Sequence, residues 1–382
     1  QAEALVERGH AVDVICLRRD DAEPQVEQTG GVTVYRVPVQ RDKRRGMVGQ
    51  LLEYVTFALW AFLEVTRRHL RRRYDVVQVH NLPDFLVFAA LVPRLSGSKI
   101  ILDLHDLMPE FYCAKFNTHM QSLPVRLVAC QEWLACRFAH HIITVTESWR
   151  QTLILRGVPP AKCSVVMNLA DTRYFQAGSA ARPTEDGLQL IYHGTITRRY
   201  GLDLLLQAFA RVRDSIPGAR LTIHGRGEYI QDVRALVESL ALEPVVSVQS
   251  EFLTAAELAQ LIRAHHVGVV PYRRDIFTDG ILPTKLMEYM ALGLAVIAAR
   301  TPAITAYCDD SMVELFTAED VDELAQRIQH LYHHPERRRE LARNTSRFNQ
   351  QHNWPSQRER YATLVEELAR GPQRSPRPVQ SA

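Results

Sequence analysis

The chain has 382 residues, which is more than a single compact core usually serves, and this length predicts two domains. Hydrophobic residues make up 46% and charged residues 23%, as in ordinary globular proteins, and a net charge of +3 is too small to indicate a nucleic-acid partner. The six cysteines show no CxxC pair and no zinc spacing, so we expect reduced, mostly buried thiols, as in a cytoplasmic protein.

The first predicted element is an amphipathic helix, QAEALVERGH, which ends at Gly9 and leads into the apolar strand AVDVICL (11–17). A doubly wound domain ordinarily opens with a strand and a Gly-rich turn ahead of such a helix. We therefore expect that the chain starts inside its first helix and lacks that strand and turn. On this interpretation a chain starting at Gln1 is poorly stable and inactive, and a longer form is active.

A long apolar stretch, MVGQLLEYVTFALWAFLEV (47–65), lies between two basic clusters, RDKRR (41–45) and RRHLRRR (67–73). It contains Glu53 and Glu64, which would be costly inside lipid, so it predicts a buried or interfacial helix and not a membrane span. The basic clusters leave two interpretations open, which are solvated helix ends and peripheral contact with an anionic membrane on its inner face.

Short apolar runs alternate with helical patterns along the chain, which predicts parallel sheets covered by helices on both faces. In the first half the predicted strands are 11–17, 32–38, 75–80, 99–105, 141–148 and 163–168, and the predicted helices are 47–70, 84–95, 124–138 and 148–156. In the second half the predicted strands are 188–194, 219–225, 245–250, 267–272 and 294–299, and the predicted helices are 202–214, 228–240, 254–264, 284–292 and 320–332.

A polar segment, DTRYFQAGSAARPTEDG (171–187), separates these two α/β patterns. We therefore predict an N-terminal domain over residues 1–170 and a C-terminal domain over 171–350. A last helix follows within 351–370, and the tail 371–382 has the composition of a disordered segment.

In open parallel sheets, ligands bind outside the carboxyl ends of the strands, so the loops after the strands are the candidate sites. The loop YHGTITRRYG (192–201) offers Gly194 for close approach of a ligand to the backbone, and Arg198 or Arg199 for a phosphate. The turn HGRGEY (224–229) places Gly225 ahead of a helix, although the steric needs of a tight turn explain this glycine equally well.

The stretch ILPTKLMEYMALG (281–293) carries the strongest signal. Pro283 suits the first turn of a helix and Gly293 suits its end, while Lys285 and Glu288 share one face of an otherwise apolar helix. Free N–H groups and a lysine at a helix N-terminus suit a diphosphate, and a carboxylate one turn later can accept two hydrogen bonds from a ribose diol. The simpler alternative is a surface ion pair between the two charges.

The sequence resembles the retaining glycosyltransferases of family 4. In the second half the resemblance rests on VVMNLADTRYF, HGTITRRYGLDLLLQAF, LTIHGRGEY and LPTKLMEYMALGLAVIAA, and in the first half on EALVERGHAVDVI, YDVVQVHN, ILDLHDLMPE and HIITVTES. These segments cover the chain to about residue 365. The order and spacing of these segments along the chain are more specific for the family than any one segment alone.

The resemblance implies an α/β GT-B fold, in which two Rossmann-like domains face each other across a cleft and the C-terminal helix crosses back to the first domain. It implies a sugar-nucleotide donor on the second domain, with a UDP-sugar as the expectation, an acceptor on the first domain, and no cofactor or catalytic metal. The donor-binding residues that we expect on this basis are Gly194, Thr195, Arg199, Gly225, Leu282, Lys285 and Glu288. On the acceptor side we expect His80, Asp106 and Glu110, with His105 near the reacting hydroxyl; the catalytic assignments are His105 and Glu288.

The sequence departs from the family pattern in its first donor loop. The family often has an arginine after the first glycine and a lysine before the next one, and this chain has Thr195 and Tyr200 at those positions. The first of the family's two glutamates falls on Gly280, and the second matches Glu288. Lys285 is the expected compensating residue.

The function predicted from the sequence is sugar transfer from a nucleotide-diphosphate sugar to an acceptor hydroxyl. The acceptor expected is a lipid-linked glycan or a polysaccharide precursor, because the apolar segment between basic clusters lies in the acceptor domain. Two alternatives stay open at this point, which are a GT-B nucleotide-sugar epimerase and a degenerate, non-catalytic nucleotide-sugar-binding protein.

Overall fold

The structure is a computed structural model that describes residues 1–18, 22–40, 47–178 and 187–370. The basic cluster at 41–45, the predicted tail at 371–382 and part of the predicted domain boundary, 179–186, lie outside the described residues. The chain forms two compact units. Unit 1 comprises Gln1–Met167 together with the residues from Pro355 onward, and unit 2 comprises Asn168–Trp354.

Unit 1 contains seven strands in two sheets among the described residues. The strands are β1 (Asp13–Arg18), β2 (Val26–Thr29), β3 (Val32–Gln40), β4 (Val76–His80), β5 (Lys99–Leu104), β6 (His141–Thr144) and β7 (Cys163–Val165). The helices are α1 (Ala2–Glu7), α2 (Met47–Arg71), α3 (Leu91–Leu95), α4 (Met108–Phe116), α5 (Leu123–Phe138) and α6 (Glu147–Leu155). The sheet orders are β1-β3-β2 and β4-β5-β6-β7, with every pairing parallel except that between β2 and β3.

The two sheets of unit 1 present their edge strands, β1 and β4, to the same cavity of about 730 Å³. Asp13 to Leu17 line one side of it and Val76 to His80 line the other, and the Tyr74 hydroxyl donates to Asp13 across the gap at 2.6 Å. The continuous sheet that the sequence pattern suggests for this half is therefore divided, because β1 and β4 do not hydrogen-bond to each other.

The predicted helical segment at 84–95 is confirmed, and it consists of two kinds of helix. The structure has a 3-10 helix over Asp84–Ala90 followed by the short α3. Pro93 lies within this segment and cannot donate a backbone hydrogen bond. The sequence interpretation missed α4 and the short β2.

The described residues of unit 2 form a single six-stranded parallel sheet in the order β10-β9-β8-β11-β12-β13. Its strands are β8 (Gln189–His193), β9 (Arg220–His224), β10 (Val246–Gln249), β11 (Val267–Val270), β12 (Ala295–Ala299) and β13 (Glu314–Phe316). Its helices are α7 (Leu202–Val212), α8 (Ile230–Ser239), α9 (Ala255–Arg263), α10 (Thr284–Ala291), α11 (Pro302–Thr305), α12 (Val321–His333) and α13 (Pro335–Gln351). All residues of β11 and β12 are buried, as expected for central parallel strands covered on both faces.

The C-terminal helix α14 (Trp354–Arg370) packs on the sheet of unit 1. Tyr361 and Val365 form a core cluster with Ile101, Ile143 and Val166, and the Tyr361 hydroxyl donates to Gln78 at 2.7 Å. The end of the chain is therefore part of the same folding unit as its beginning, as the sequence resemblance implies.

Helix α2 buries one face and exposes another. Ala61 is 6% exposed, whereas Leu59 and Leu63 are 61% and 59% exposed. Among the residues that the structure describes, no helix combines the length and the apolar character that crossing a membrane requires.

Candidate functional site

The loop after β8 meets the loop after β9 by direct backbone contact. The Gly194 N–H donates to the His224 carbonyl at 2.9 Å, and Gly194 has a φ of +114°. A side chain at Gly225 would bring its Cβ to 1.8 Å from the Gly194 carbonyl oxygen. Gly225 therefore keeps the two loops together, which agrees with the steric explanation of this glycine.

Lys285 occupies the first turn of α10 and is only 5% exposed. Its Nζ donates to the hydroxyls of Tyr192 at 3.1 Å and Tyr272 at 3.0 Å. It also lies 4.4, 4.7 and 4.9 Å from the ring centres of Tyr192, Tyr200 and Tyr272. Burial lowers the pKa of this amine from 10.5 to about 7, against the opposing charge of Glu288.

Lys285 and Glu288 do not form the surface ion pair that was the simpler alternative. No carboxylate of the described residues lies within ion-pair distance of the lysine Nζ. The Glu288 carboxylate instead accepts from His193 Nε2 at 2.5 Å, and it keeps 18% side-chain exposure. Both charges of the helix are thus held by residues outside the helix and not by each other.

His193 at the end of β8 is a site residue that the sequence interpretation missed. Its Nε2 contacts the Glu288 carboxylate, and its Nδ1 lies 3.0 Å from the Tyr289 hydroxyl, so both ring nitrogens have a polar partner. Burial lowers the pKa of His193, while the hydrogen bond to Glu288 opposes that shift. A histidine directly before Gly194 at a strand end was the signal that could have found it.

The other predicted donor residues surround the same helix start. Thr195 is exposed, and its carbonyl accepts from the Tyr192 hydroxyl at 2.6 Å. The Arg199 guanidinium stacks 5.4 Å from the Phe277 ring centre, and Leu282 is buried just ahead of the helix. No side chain of the residues that the structure describes caps the N-terminus of α10, so backbone N–H groups there are available to an anion.

A second cluster lies in unit 1, at the ends of β4 and β5. His80 Nδ1 lies 3.0 Å from His105 Nε2, and their rings stack with centres 5.3 Å apart. Asp103, which is 1% exposed, lies 3.3 Å from His80 Nδ1 and 3.7 Å from His105 Nε2. His105 therefore contacts both His80 and the buried carboxylate of Asp103.

Asp103 was missed in the sequence, although a carboxylate within the buried strand KIILDL is an unusual feature that signals a site. Its Oδ2 also accepts from Gln78 at 2.9 Å and from Gln1 at 3.3 Å. The ligand atoms of His80, Asp103 and His105 all lie within 4.8 Å of one another. Among the described residues, this is the group whose spacing would suit a metal ion.

The other two predicted acceptor-side residues differ in their surroundings. Asp106 is half-buried, and its carbonyl accepts from Asn81 Nδ2 at 2.6 Å. Glu110 is 4% exposed and pairs with Arg156, which also donates to Glu132 at 2.8 Å. Burial raises the pKa of Glu132 to about 7. The structure thus assigns the Glu110 carboxylate to a buried ion cluster and not to the histidine pair.

Comparison with known sequences agrees with both halves of this description. The family profile described as "Glycosyl transferase 4-like domain" matches residues 1–168, and the profile described as "Glycosyl transferases group 1" matches residues 187–334. The protein is a family 4 glycosyltransferase. This result confirms the resemblance found in the sequence and favours a sugar transferase over the epimerase alternative.

Curated relatives of this glycosyltransferase carry related names at low identity. It is 25% identical over 341 residues to a phosphatidylinositol N-acetylglucosaminyltransferase subunit of Arabidopsis thaliana, covering 86% of this chain and 68% of that protein. It is 26% identical over 334 residues to the D-inositol 3-phosphate glycosyltransferase of Thermobifida fusca, covering 81% of this chain and 73% of that protein.

Solved structures confirm the GT-B fold of the glycosyltransferase. Sucrose-phosphate synthase from Thermosynechococcus elongatus superposes with a TM-score of 0.77 at 20% identity, covering 96% of this chain and 91% of that chain. Anabaena HepE, solved in complex with UDP-glucose, superposes with a TM-score of 0.68 at 14% identity, covering 93% and 99% of the two chains.

Proposed function

We propose that this glycosyltransferase is a retaining enzyme that takes its sugar from a nucleotide-diphosphate sugar, a UDP-sugar in the first instance. The observation that carries the proposal is the start of α10, where one buried amine without a carboxylate partner among the described residues and one oriented carboxylate occur three residues apart. The amine of Lys285 can bind the anionic end of a ligand, and the carboxylate of Glu288 can accept hydrogen bonds from hydroxyls at its other end.

The proposed roles follow from these contacts. Lys285 and the free N–H groups of α10 bind the diphosphate, with Arg199 as a second cation. Glu288, held by His193, accepts hydrogen bonds from the ribose diol. Gly194 and Thr195 lie beside the diphosphate, Leu282 borders the nucleotide, and Gly225 supports the Gly194 loop.

The acceptor hydroxyl is proposed to bind in unit 1 beside His105, with His80 and Asp106 near it. In the transfer step, the bond between the sugar C1 and the diphosphate oxygen breaks while the acceptor oxygen bonds to C1 on the same face. The acceptor proton passes to the departing diphosphate oxygen, which balances the reaction. Lys285 stabilises the negative charge that develops on that oxygen, and the buried site around it excludes water.

A lipid-linked glycan or a polysaccharide precursor is the proposed acceptor class. Support comes from relatives named for such acceptors, including the chitobiosyldiphosphodolichol β-mannosyltransferase of Candida albicans, 21% identical over 333 residues.

The proposal of a UDP-sugar donor is supported by the similar structure of HepE, which was solved in complex with UDP-glucose. The six cysteines form no disulfide among the described residues, which fits work in a reducing compartment such as the cytoplasm.

A thermal-shift panel of UDP-, GDP- and ADP-sugars tests the donor assignment. We expect a UDP-sugar to raise the Tm most, because a ligand that binds only the folded state stabilises it more when it binds more tightly. The same UDP-sugar incubated without acceptor should yield no epimer. A panel in which no nucleotide sugar changes the Tm would contradict the proposal, and formation of an epimer would support the epimerase alternative.

We also propose that the reaction needs no metal or other cofactor, since the Lys285 amine and a helix N-terminus provide positive charge at the diphosphate. Activity in the presence of EDTA should equal activity without it. Loss of activity with EDTA and its recovery with a divalent cation would instead implicate His80, Asp103 and His105 as ligands.

Peripheral contact with an anionic membrane is proposed for the exposed face of α2. This outer face is formed by seven residues with 41 to 74% exposure: Leu51, Leu52, Val55, Leu59, Trp60, Leu63 and Leu70. Arg71, Arg72 and Arg73 follow at the end of the helix, all exposed and without a carboxylate partner among the described residues. An apolar face with cations at one end suits the boundary between acyl chains and anionic headgroups.

Vesicle co-sedimentation tests this contact with two matched variants. We expect binding to phosphatidylcholine vesicles that contain phosphatidylglycerol, and its loss in Leu59→Glu/Leu63→Glu by at least about ten-fold, because each leucine would no longer bury apolar surface. Leu155→Glu, at a leucine of α6 that is 87% exposed, should bind as the unchanged protein does. No binding of the unchanged protein at low salt, or equal loss in both variants, would refute the contact.

A further inference from the structure

Three tyrosines from separate segments surround the Lys285 amine. Tyr192 belongs to β8 and is fully buried, Tyr272 follows β11 and is 3% exposed, and Tyr200 ends the 3-10 helix Arg198–Tyr200. The rings of Tyr200 and Tyr272 stack at 4.3 Å with 14° between their planes. Together the side chains of Tyr192, Tyr200 and Tyr272 form a tyrosine cage around the amine.

We propose that the tyrosine cage positions the Lys285 amine for the donor diphosphate, with Tyr192 and Tyr272 orienting it and Tyr200 forming its outer wall. The inference rests on the proposed donor site. It assigns a role to Tyr192 and Tyr272, which the sequence interpretation did not single out, and to Tyr200, which was noted only as a departure from the family pattern. In this role the tyrosines act through Lys285 and are positioning residues.

The hydrogen-bond count of the amine supports this role. An ammonium group has three N–H donors, and the hydroxyls of Tyr192 and Tyr272 accept two of them. The third N–H remains for a ligand oxygen. The three N–H bonds of an ammonium group keep fixed angles to one another. Two of them point at tyrosine hydroxyls, so the direction of the third is also fixed. The cage therefore determines where a phosphate oxygen must lie to accept from it.

The chemistry of the cage leaves the charge of the lysine available. Aromatic faces and hydroxyl oxygens stabilise a buried cation without cancelling its charge, whereas a contacting carboxylate would cancel it. Among the described residues, the groups that face the amine are the three tyrosines, His193 on β8 and Glu288 on its own helix, which lies beyond ion-pair distance. A bound diphosphate would therefore be the first full negative charge in direct contact with this nitrogen.

The approach to the amine passes over a glycine. A Cβ at Gly194 would lie 3.1 Å from Lys285 Cε and 3.3 Å from its Nζ. Any larger residue at this position would press on the lysine chain and cover the nitrogen. The glycine in the loop after β8 thus keeps a side chain away from the amine on this side.

Lysine NMR can test the cage directly, because the chain contains only five lysines, and Lys285 is the only one between residues 168 and 354. With ¹³C-labelled lysine, Lys285→Met identifies the Lys285 Cε resonance by its absence. We expect this resonance to titrate well below the usual range near 10.4, as the lowered pKa of the buried amine predicts. Addition of UDP-glucose should raise its pKa, because an adjacent anion favours the charged form.

Tyr272→Phe keeps the ring and removes one oxygen that accepts from the amine. Losing this acceptor disfavours the ammonium form, so the pKa of Lys285 should fall further, by about one unit, and UDP-glucose should bind roughly ten-fold more weakly. Tyr332→Phe, on α12 of the same unit, is the matched control and should change neither quantity.

The outcomes separate the cage from the proposed function. If Tyr272→Phe lowers the Tm but leaves both the Lys285 titration and UDP-glucose affinity unchanged, the tyrosine is merely structural and the cage proposal is refuted. If UDP-glucose leaves the Lys285 resonance of the unchanged protein unaffected at saturating concentrations, the donor assignment itself fails. Both expected changes occurring together would support the cage.

Discussion

Replacing Lys285 with methionine should weaken binding of a diphosphate at least ten-fold without making the protein less stable. Methionine has similar length and fills the space inside the tyrosine cage, so the packing of α10 against β8 is kept. A hydrogen bond to a charged group contributes about 1.5–3 kcal/mol, which corresponds to roughly a ten- to hundred-fold loss of affinity. Isothermal titration with UDP and with inorganic pyrophosphate measures this loss.

Most substitutions in a protein core lower the free energy of unfolding, but we expect Lys285→Met to keep or raise it. The pKa of Lys285 is lowered in the folded protein to about 7, whereas in the unfolded chain it is near 10.5. At every pH below 10.5, the protonation of this amine therefore lowers the free energy of unfolding, which is a cost to stability. This cost grows as the pH falls from 10.5 to about 7 and stays constant below that. Methionine removes it, and the loss of a partner for the Tyr272 hydroxyl offsets about 1 kcal/mol of the gain.

We therefore expect the Tm of Lys285→Met at pH 7 to be equal to that of the unchanged protein or roughly 2–4 °C higher. A stable protein that no longer binds the diphosphate would show that the lysine is retained for binding and not for folding. Undiminished affinity for pyrophosphate in a well-folded Lys285→Met variant would rule out the diphosphate role of this residue.

Substitution of Glu288 should affect the nucleoside part of the donor and spare the diphosphate. Glu288→Ala removes an acceptor for both ribose hydroxyls, and at about 1.5–3 kcal/mol for each bond to a charged group the expected loss in UDP affinity is roughly 100-fold or more. Affinity for inorganic pyrophosphate, which has no ribose, should change by no more than about two- to three-fold. Titration of both ligands into the same variant separates the two roles within one helix.

Two further variants guard this prediction against a folding artefact. Glu288→Gln keeps an oxygen that accepts from His193 and loses the charge, so it should retain the Tm of the unchanged protein with an intermediate loss of UDP affinity, about ten-fold. Glu238→Ala, at an exposed glutamate of α8, should bind both ligands normally. Equal losses for UDP and pyrophosphate in Glu288→Ala would show that the carboxylate does not contact the ribose.

Local sequence patterns predicted the elements that depend on neighbours along the chain. The helix between Pro283 and Gly293 was predicted because proline favours its first turn and glycine its end, and Gly293 indeed has a φ of +73°. Helix α13 (Pro335–Gln351) was missed because its buried residues include Arg338 and Thr345 beside Leu341 and Phe348. Such a stripe carries too few apolar residues to be recognised by periodicity.

The amino-acid sequence by itself determined the alternating α/β pattern, the family resemblance and the presence of two opposite charges at the start of one helix. Only the tertiary structure decided the partners of those charges, which are Tyr192 and Tyr272 for Lys285 and His193 for Glu288. Tyr192 and His193 lie more than 90 residues away in the sequence and Tyr272 lies 13 residues away, and they meet at the helix because β8 and β11 lie side by side beneath it. The physical reason is that spacing along a helix specifies which residues share a face, whereas burial and hydrogen bonding depend on what packs against that face.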